Sequence, residues 1–256
     1  MRISAFGAAV GALALTAVAV PAAHADGTPP TILDVTVNNG QDVVLGTTTK
    51  LITATVTASD PSRITNGPVT LYHGGTDMND DKFDAVLMPT TGQATCSAVN
   101  HQTWKCRISI NGNPTLVTNS TAGTWHVYAQ AYAGNDSYTT LTPNPAIRVL
   151  RASRLTVNAS PEPVRKGRTI TVAGKLSRAS WDDDLQYHGY ANQPVKLQFR
   201  KAGTNTYSTV RTVHANGYGN LRTTVTAASD GYWRYYFTGS TTTAAVRAAG
   251  DYVDVR

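Results

Sequence analysis

Short segments in which apolar and polar side chains alternate place the strongest constraint on how this 256-residue chain folds. Apolar residues occupy the even positions of residues 51–58, and the even positions of 170–176 are Ile, Val, Gly and Leu. Because every second side chain of a strand points to the same face, each segment predicts a strand with one buried face. Beyond residues 3–20, no segment has the apolar spacing of an amphipathic helix. The sequence therefore predicts an all-β fold.

The strand pattern occurs twice, as a divergent repeat between residues 31–150 and 151–256. Each copy has a Thr-Val-Asn segment, a glycine before the alternating strand, a strand opened by proline and, near its end, a tryptophan strand. Short strands separated by Gly, Pro and Asn turns, six or seven per roughly 100 residues, are typical of an antiparallel sandwich. We expect two sandwich domains, over residues 26–150 and 151–256.

The tryptophan strands also predict which side chains are buried. Alternation places Trp125 and Val127 on one face of the first strand, and Trp233, Tyr235 and Phe237 on one face of the second. In a sandwich, the inner faces of the two sheets pack together to form the core. We expect these five side chains to lie in the two cores.

Residues 1–25 are typical of an export signal. Arg2 is followed by an apolar run over residues 3–20 and by a small-residue cleavage site at 21–25. The alternative, a membrane anchor, fits poorly because Gly7 and Gly11 interrupt a short, Ala-rich segment. The rest of the chain has no apolar segment that would span a bilayer. We expect a secreted, extracellular protein that associates with a cell wall only by binding to it.

Cys96 and Cys106 are the two cysteines of the chain, and an oxidising compartment favours joining them. The nine residues between them are typical of a hairpin that turns at residues 100–102. A bridge over so short a loop stabilises by roughly 2–3 kcal/mol in the chain-entropy description. A redox-active pair is typically C-x-x-C, so we predict a structural disulfide.

Four segments, residues 155–163, 195–203, 230–237 and 251–256, resemble an immunoglobulin-like domain common in exported proteins of actinomycete bacteria. The resemblance covers most of the chain after residue 25 and is strongest over 151–256. It implies that the two tandem antiparallel sandwiches are immunoglobulin-like. Such proteins are mostly uncharacterised, and some are labelled calcium-binding. The resemblance implies no catalytic residue.

Catalysis is not predicted by any arrangement in the sequence. There is no G-x-S-x-G elbow, and the five histidines after residue 25 lack metal-ligand spacing. Glu162 is the one glutamate, whereas glycoside hydrolysis needs two facing carboxylates. We expect a non-catalytic protein without a cofactor, with calcium as the one open alternative.

Asp77, Asn79 and Asp81 are the candidate calcium ligands, because they place oxygen atoms at alternate positions as an EF-hand loop does. Lys82 replaces the turn glycine of that motif, and Met88 stands where its bidentate glutamate belongs. The EF-hand interpretation therefore fails, which leaves an irregular oxygen cage or a solvated polar loop.

The segment 180–190 combines consecutive acids with aromatic rings. Loops at the end of a sandwich commonly bind ligands. Flat rings suit sugars and carboxylates suit a cation, whereas the alternative is that the rings only pin the loop to the sheet. The candidate ligand residues are Trp181, Asp182, Asp183, Asp184, Tyr187 and Tyr190.

Charge divides unevenly between the copies. Residues 26–150 contain six Lys or Arg and nine Asp, which gives net −3, whereas residues 151–256 contain fifteen Lys or Arg and seven Asp or Glu, which gives net +8. A basic surface attracts an anionic polymer. For an exported protein we expect a cell-wall or extracellular polymer rather than nucleic acid, the alternative being a soluble surface with excess charge. The candidate patch consists of Arg165, Lys166, Arg168, Arg200 and Lys201.

Taken together, these features favour an exported, non-catalytic binding or adhesion module for extracellular or cell-wall polysaccharide or another anionic polymer. The alternatives are a structural spacer, a calcium-binding sandwich protein and an accessory domain of an enzyme.

Overall fold

A computed structural model of the protein describes residues 27–75, 77–78, 82–182 and 184–256. The predicted export signal, residues 1–25, lies outside the described residues. Strands dominate this part of the chain, and its short 3-10 helices span Asn38–Gly40, Pro114–Leu116 and Asn119–Thr121. No helix in the described ranges has the length and apolar character needed to cross a membrane.

The first half of the described chain contains eleven strands. They are β1 (Thr31–Val37), β2 (Val43–Leu45), β3 (Lys50–Ser59), β4 (Ile64–Asn66), β5 (Val69–His73), β6 (Ala85–Leu87), β7 (Thr95–Ala98), β8 (Thr103–Gly112), β9 (Gly123–Ala133), β10 (Tyr138–Thr140) and β11 (Ala146–Arg151).

The second half contains ten strands. They are β12 (Ser153–Leu155), β13 (Asn158–Ser160), β14 (Thr169–Ala179), β15 (Tyr187–Gly189), β16 (Pro194–Lys201), β17 (Ser208–His214), β18 (Asn220–Thr226), β19 (Gly231–Phe237), β20 (Val246–Arg247) and β21 (Asp251–Val253).

Two sheets form the first sandwich. One has the order β1-β3-β8-β7, and the other has the order β2-β11-β9-β5-β6, with β4 and β10 paired to β9. Strands β2 and β11 run parallel, which joins the second strand of this sandwich to its last strand. The long strands β3 and β9 hold the sheets together because each buries one face of its alternating sequence.

The second sandwich has a similar arrangement. One sheet is built on β14, which pairs with β12, β13, β15 and β18, and the other has the order β17-β16-β19-β20 with β21 also paired to β19. Together the four sheets form two tandem, almost entirely antiparallel immunoglobulin-like β-sandwiches, which confirms the predicted fold class.

The inward faces lie where the alternation predicts them. Trp125 and Tyr235 are fully buried, and Val127, Trp233 and Phe237 are at most 6% exposed. Each core contains residues from both of its sheets, so the prediction for all five side chains is confirmed. Burying a large apolar side chain contributes roughly 1.5–3 kcal/mol relative to leaving it in water.

The predicted hairpin and disulfide are also confirmed. Strands β7 and β8 pair antiparallel around the turn, and Cys96 lies directly opposite Cys106 and is bonded to it. The bridge joins the edge strand β7 to the long strand β8 next to it.

Candidate functional site

The loop that contains Trp181 joins the two sandwiches. Its side chain is 3% exposed and packs into the core of the first sandwich, although the residue follows β14 of the second. The indole Nε1 of Trp181 donates a hydrogen bond to the carbonyl oxygen of Gly46 at 3.1 Å, and its backbone N–H donates to Oδ1 of Asn119 at 2.9 Å. Protein covers the ring, so the expectation that Trp181 stacks on a ligand is wrong.

Asn119 links three residues of this loop to the first sandwich. The carboxylate of Asp182 accepts a hydrogen bond from the backbone N–H of Asn119 at 3.0 Å and another from its side-chain Nδ2. Ser180 Oγ accepts from the same Nδ2 at 3.1 Å. Asp182 therefore takes part in the contact between sandwiches, and Asp183 lies outside the described residues.

The remaining predicted ligand residues of the loop have local partners. Tyr187 and Tyr190 are half-buried, and the guanidinium carbons of Arg154 and Arg178 lie 3.6 Å and 4.0 Å from their respective ring centres. Asp184 forms an ion pair with the histidine four residues later. The arrangement matches the alternative in which aromatic rings pin the loop to the sandwiches.

Backbone hydrogen bonds complete this junction. Arg151 is the last residue of β11, and Ser153 is the first of β12. The N–H of Arg151 donates to the carbonyl of Thr242, and its own carbonyl accepts from Ala244, each at 3.0 Å. Its side chain is 5% exposed and donates through Nε to the carbonyl of Ala179 at 2.6 Å. Burial lowers the pKa of Arg151 to about 10.

Of the three candidate calcium ligands, Asp77 is described, whereas Asn79 and Asp81 lie outside the described residues. Close to this segment, Oδ1 of Asp84 lies 2.6 Å from Nδ1 of His73. Across the described ranges there is no group of three or more His, Cys, Asp or Glu side chains that would hold a metal ion. The calcium hypothesis therefore stays a prediction.

The predicted basic patch divides between two surfaces. Lys166 and Lys201 line an open concavity at the end of the second sandwich away from the junction, where Asp230 and Arg256 also lie. Arg256 forms an ion pair with Asp254 at 2.9 Å, so carboxylates offset part of the positive charge there. The exposed side chains of Arg165 and Arg168 belong to the same loop as Lys166.

Arg200 lies instead on the outer face of the sheet built on β16 and β19. Along β19, buried positions alternate with partly exposed ones, and the partly exposed ones face away from the core. We name this surface the arginine–tyrosine face. It consists of Lys196, Gln198, Arg200, Tyr207, Tyr232, Arg234, Tyr236, Arg247 and Tyr252.

Each arginine of this face lies against a tyrosine ring. The distances from guanidinium carbon to ring centre are 3.6 Å for Arg234 on Tyr207, 4.0 Å for Arg200 on Tyr232 and 4.2 Å for Arg247 on Tyr236. Such cation–π contacts hold the planar guanidinium in place while its N–H edges stay available. Nε of Arg234 donates to Oε1 of Gln198 at 2.9 Å, and burial lowers the pKa of Arg234.

The cations of the face lack acidic partners. In the part of the chain that the structure describes, no carboxylate lies within 4.0 Å of the side-chain nitrogens of Lys196, Arg200, Arg234 or Arg247. Apart from Arg200, the residues of this cluster were not predicted from the sequence. The available signal was residues 232–236, Tyr-Trp-Arg-Tyr-Tyr, whose outward positions are Tyr, Arg and Tyr.

The chain is thus a protein of two tandem immunoglobulin-like sandwiches with a basic, tyrosine-rich outer face. Residues 43–131 match the profile of a family described as a family of unknown function, DUF5707. The match lies within the first sandwich and does not include the arginine–tyrosine face. No curated protein matches the chain.

Several solved structures are similar to the chain. Dimeric latent PorU from Porphyromonas gingivalis has 11% sequence identity and a TM-score of 0.31, over 90% of this chain and 20% of PorU. The D00-D0 domain of intimin has 15% identity and a TM-score of 0.28, over 86% of this chain and 99% of that one. FdeC, an Escherichia coli adhesin, has 13% identity and a TM-score of 0.32, over 88% and 65%. TM-scores this low do not indicate a shared function.

Proposed function

We propose that the protein is an exported, non-catalytic binding module that holds an anionic extracellular or cell-wall polymer on the arginine–tyrosine face. The observation behind this proposal is the set of four cations on one face that have no carboxylate partner in the described residues: Lys196, Arg200, Arg234 and Arg247. Oxyanions of a polymer would supply the missing partners through charge-assisted hydrogen bonds.

The geometry of the arginines suits this role. Their contacts with tyrosine rings limit side-chain motion before any ligand binds, which lowers the entropic cost of binding. A guanidinium presents N–H groups in a fork that matches a carboxylate or phosphate. The excess charge of the second sandwich, net +8 over residues 151–256, attracts a polyanion over a longer range.

In this proposal the first sandwich has a structural role and does not bind the polymer. Its residues 26–150 have net charge −3, so it is not the part that attracts a polyanion. Trp181 and the backbone of Arg151 fix it to the second sandwich. The same junction favours a second candidate function, a semi-rigid spacer, which requires no binding of a polymer.

Binding of the full chain to purified cell walls distinguishes the two functions. We expect binding to weaken steeply between about 0.02 and 0.5 M salt, because exposed charges are increasingly screened. The double variant Arg234→Gln, Arg247→Gln should bind at least about tenfold more weakly, since a hydrogen bond to a charged group contributes about 1.5–3 kcal/mol.

Arg107→Gln, Arg222→Gln is the matched control, because it removes the same charge from exposed positions elsewhere. It should bind within about twofold of the wild type, as expected when long-range attraction alone is reduced. Equal loss in both double variants, or binding that does not respond to salt, would overturn the proposal. A chain that does not bind at all would leave the spacer function.

A further inference from the structure

The tyrosines of the arginine–tyrosine face indicate which kind of polymer it takes, an inference that rests on the proposed function. Tyr207 precedes β17, and its ring lies over Arg234. Its hydroxyl reaches the backbone at Gly250, where any side chain would collide with it. The half-buried ring of Tyr207 therefore lies above Arg234, the central arginine, and its side chain extends across the face towards β21.

Tyr252 borders the same face. Its ring centre lies 5.1 Å from that of Tyr232, and the residue is 41% exposed. Desolvation, with the carboxylates of Asp230 and Asp254 next in effect, raises the pKa of Tyr252.

Rings and cations alternate across the strands. Arg200 pairs with Tyr232, which pairs with Tyr252, and four residues further along β19 Tyr236 pairs with Arg247. Arg200, Arg234 and Arg247 consequently form a diagonal over three adjacent strands. Strand separation and rise per residue place neighbours on this diagonal about 8 Å apart.

From this alternation we propose that the ligand is an acidic polysaccharide, a chain of sugar rings that carry carboxylate or sulfate groups. The apolar faces of the sugar rings pack on Tyr207 and Tyr252, and the oxyanions bind the guanidinium groups on the diagonal. The hydroxyl of Tyr252, which is 41% exposed, offers a hydrogen bond to sugar hydroxyls.

Two other polyanions fit the face less well. A polyol phosphate has anions but no rings, so it leaves the tyrosines without a role. Single-stranded nucleic acid is held by a cationic groove along its backbone and by separate aromatic platforms for its bases. Here the cations and rings are interleaved rather than arranged in two tracks.

The test measures binding of the full chain to polygalacturonate, dextran sulfate, neutral dextran, poly(glycerol phosphate) and a single-stranded oligonucleotide at one ionic strength. We expect polygalacturonate or dextran sulfate to bind most tightly, and the tighter of the two identifies the anion. Tyr252→Ala should weaken that binding roughly threefold to tenfold, as expected for the loss of one ring contact. It should change binding to poly(glycerol phosphate) by less than twofold.

Tyr218→Ala is the matched control, because Tyr218 is 77% exposed and lies outside the face. Since Tyr252 is also exposed, its variant should fold, and a melting curve verifies this. Wild-type affinity of Tyr252→Ala for the acidic polysaccharides overturns the inference, as does tighter binding of poly(glycerol phosphate) or the oligonucleotide. In those cases the proposed function stands if Arg234→Gln, Arg247→Gln still weakens binding. Absence of binding to every anionic polymer overturns both.

Discussion

The core residues of the two sandwiches occupy equivalent positions on paired strands, whereas the outward-facing residues next to them differ. In each, the residue after the core tryptophan pairs with a residue on the neighbouring strand. In the first sandwich this pair is His126 with Tyr72, whose ring centres lie 5.4 Å apart, and Tyr72 is fully buried. In the second it is Arg234 with Gln198, joined by a hydrogen bond on the arginine–tyrosine face.

The covering of the first outer face is visible at Tyr72. Nδ2 of Asn144, in the segment before β11, donates to the hydroxyl of Tyr72 at 2.9 Å. The equivalent position of the second sandwich lies within the group of unpaired cations. Repeated folds thus retain the inward residues, because packing fixes them, while the outward residues are free to become a covered surface in one copy and a charged surface in the other.

Replacement of the two core tryptophans tests the shared part of this comparison and should have the largest effect. Trp233→Ala and Trp125→Ala should each lower the free energy of unfolding by roughly 3–5 kcal/mol, because a large buried ring is removed from a packed core. Denaturant unfolding measures the change, with Tyr218→Ala as the exposed control. A loss below about 1 kcal/mol for either variant would contradict an equivalent role in the two cores.

Trp181→Ala sharpens the comparison, because it is a substitution in the second half of the chain that should weaken the first sandwich. The ring fills part of the first core, so we expect a loss of about 3 kcal/mol, the lower end of the range for Trp→Ala. Hydrogen exchange should accelerate at amides of β3 and β9. If acceleration is confined to β14, β16 and β19, the ring does not support the first core.

Replacement of Tyr235 should have the smallest effect on stability, and the pH dependence of that effect should distinguish the second core from the first. Its hydroxyl donates to the carbonyl of Val172 at 2.9 Å, and burial raises its pKa from 10.0 to about 12. Since the folded pKa exceeds the unfolded one, the stabilisation is complete below pH 10 and is lost as pH rises towards 12. The first sandwich has Val127 at this position, directly opposite Leu71 as Tyr235 is opposite Leu197.

Tyr235→Phe should therefore lower the unfolding free energy by about 1 kcal/mol at neutral pH, the contribution of one hydrogen bond. Between pH 10 and 12 the difference between wild type and variant should shrink. Melting temperatures of both proteins over this range give the measurement. A difference that is constant with pH would show that the hydroxyl does not titrate with a raised pKa.

The alternation of the sequence predicted the strands and inward residues, because period two is a local property of the chain. The Cys96–Cys106 hairpin was predictable for the same reason. The position of Trp181 was not predictable, because a tryptophan beside acidic residues has the same local sequence pattern whether its ring contacts a sugar or packs into the core of the other sandwich. Its hydrogen-bond partner there, Gly46, is 135 residues away in sequence. The diagonal of arginines depends on the pairing of β16, β19 and β20, which composition does not encode.

The position of Trp181 also sets the order in which the molecule is completed during synthesis. The first sandwich ends at residue 151, yet its core requires a side chain made about thirty residues later. At about 5–20 residues per second, that delay is roughly two to six seconds. During this interval the nascent first sandwich lacks one of the rings of its finished core, which the emerging second half of the same chain then supplies.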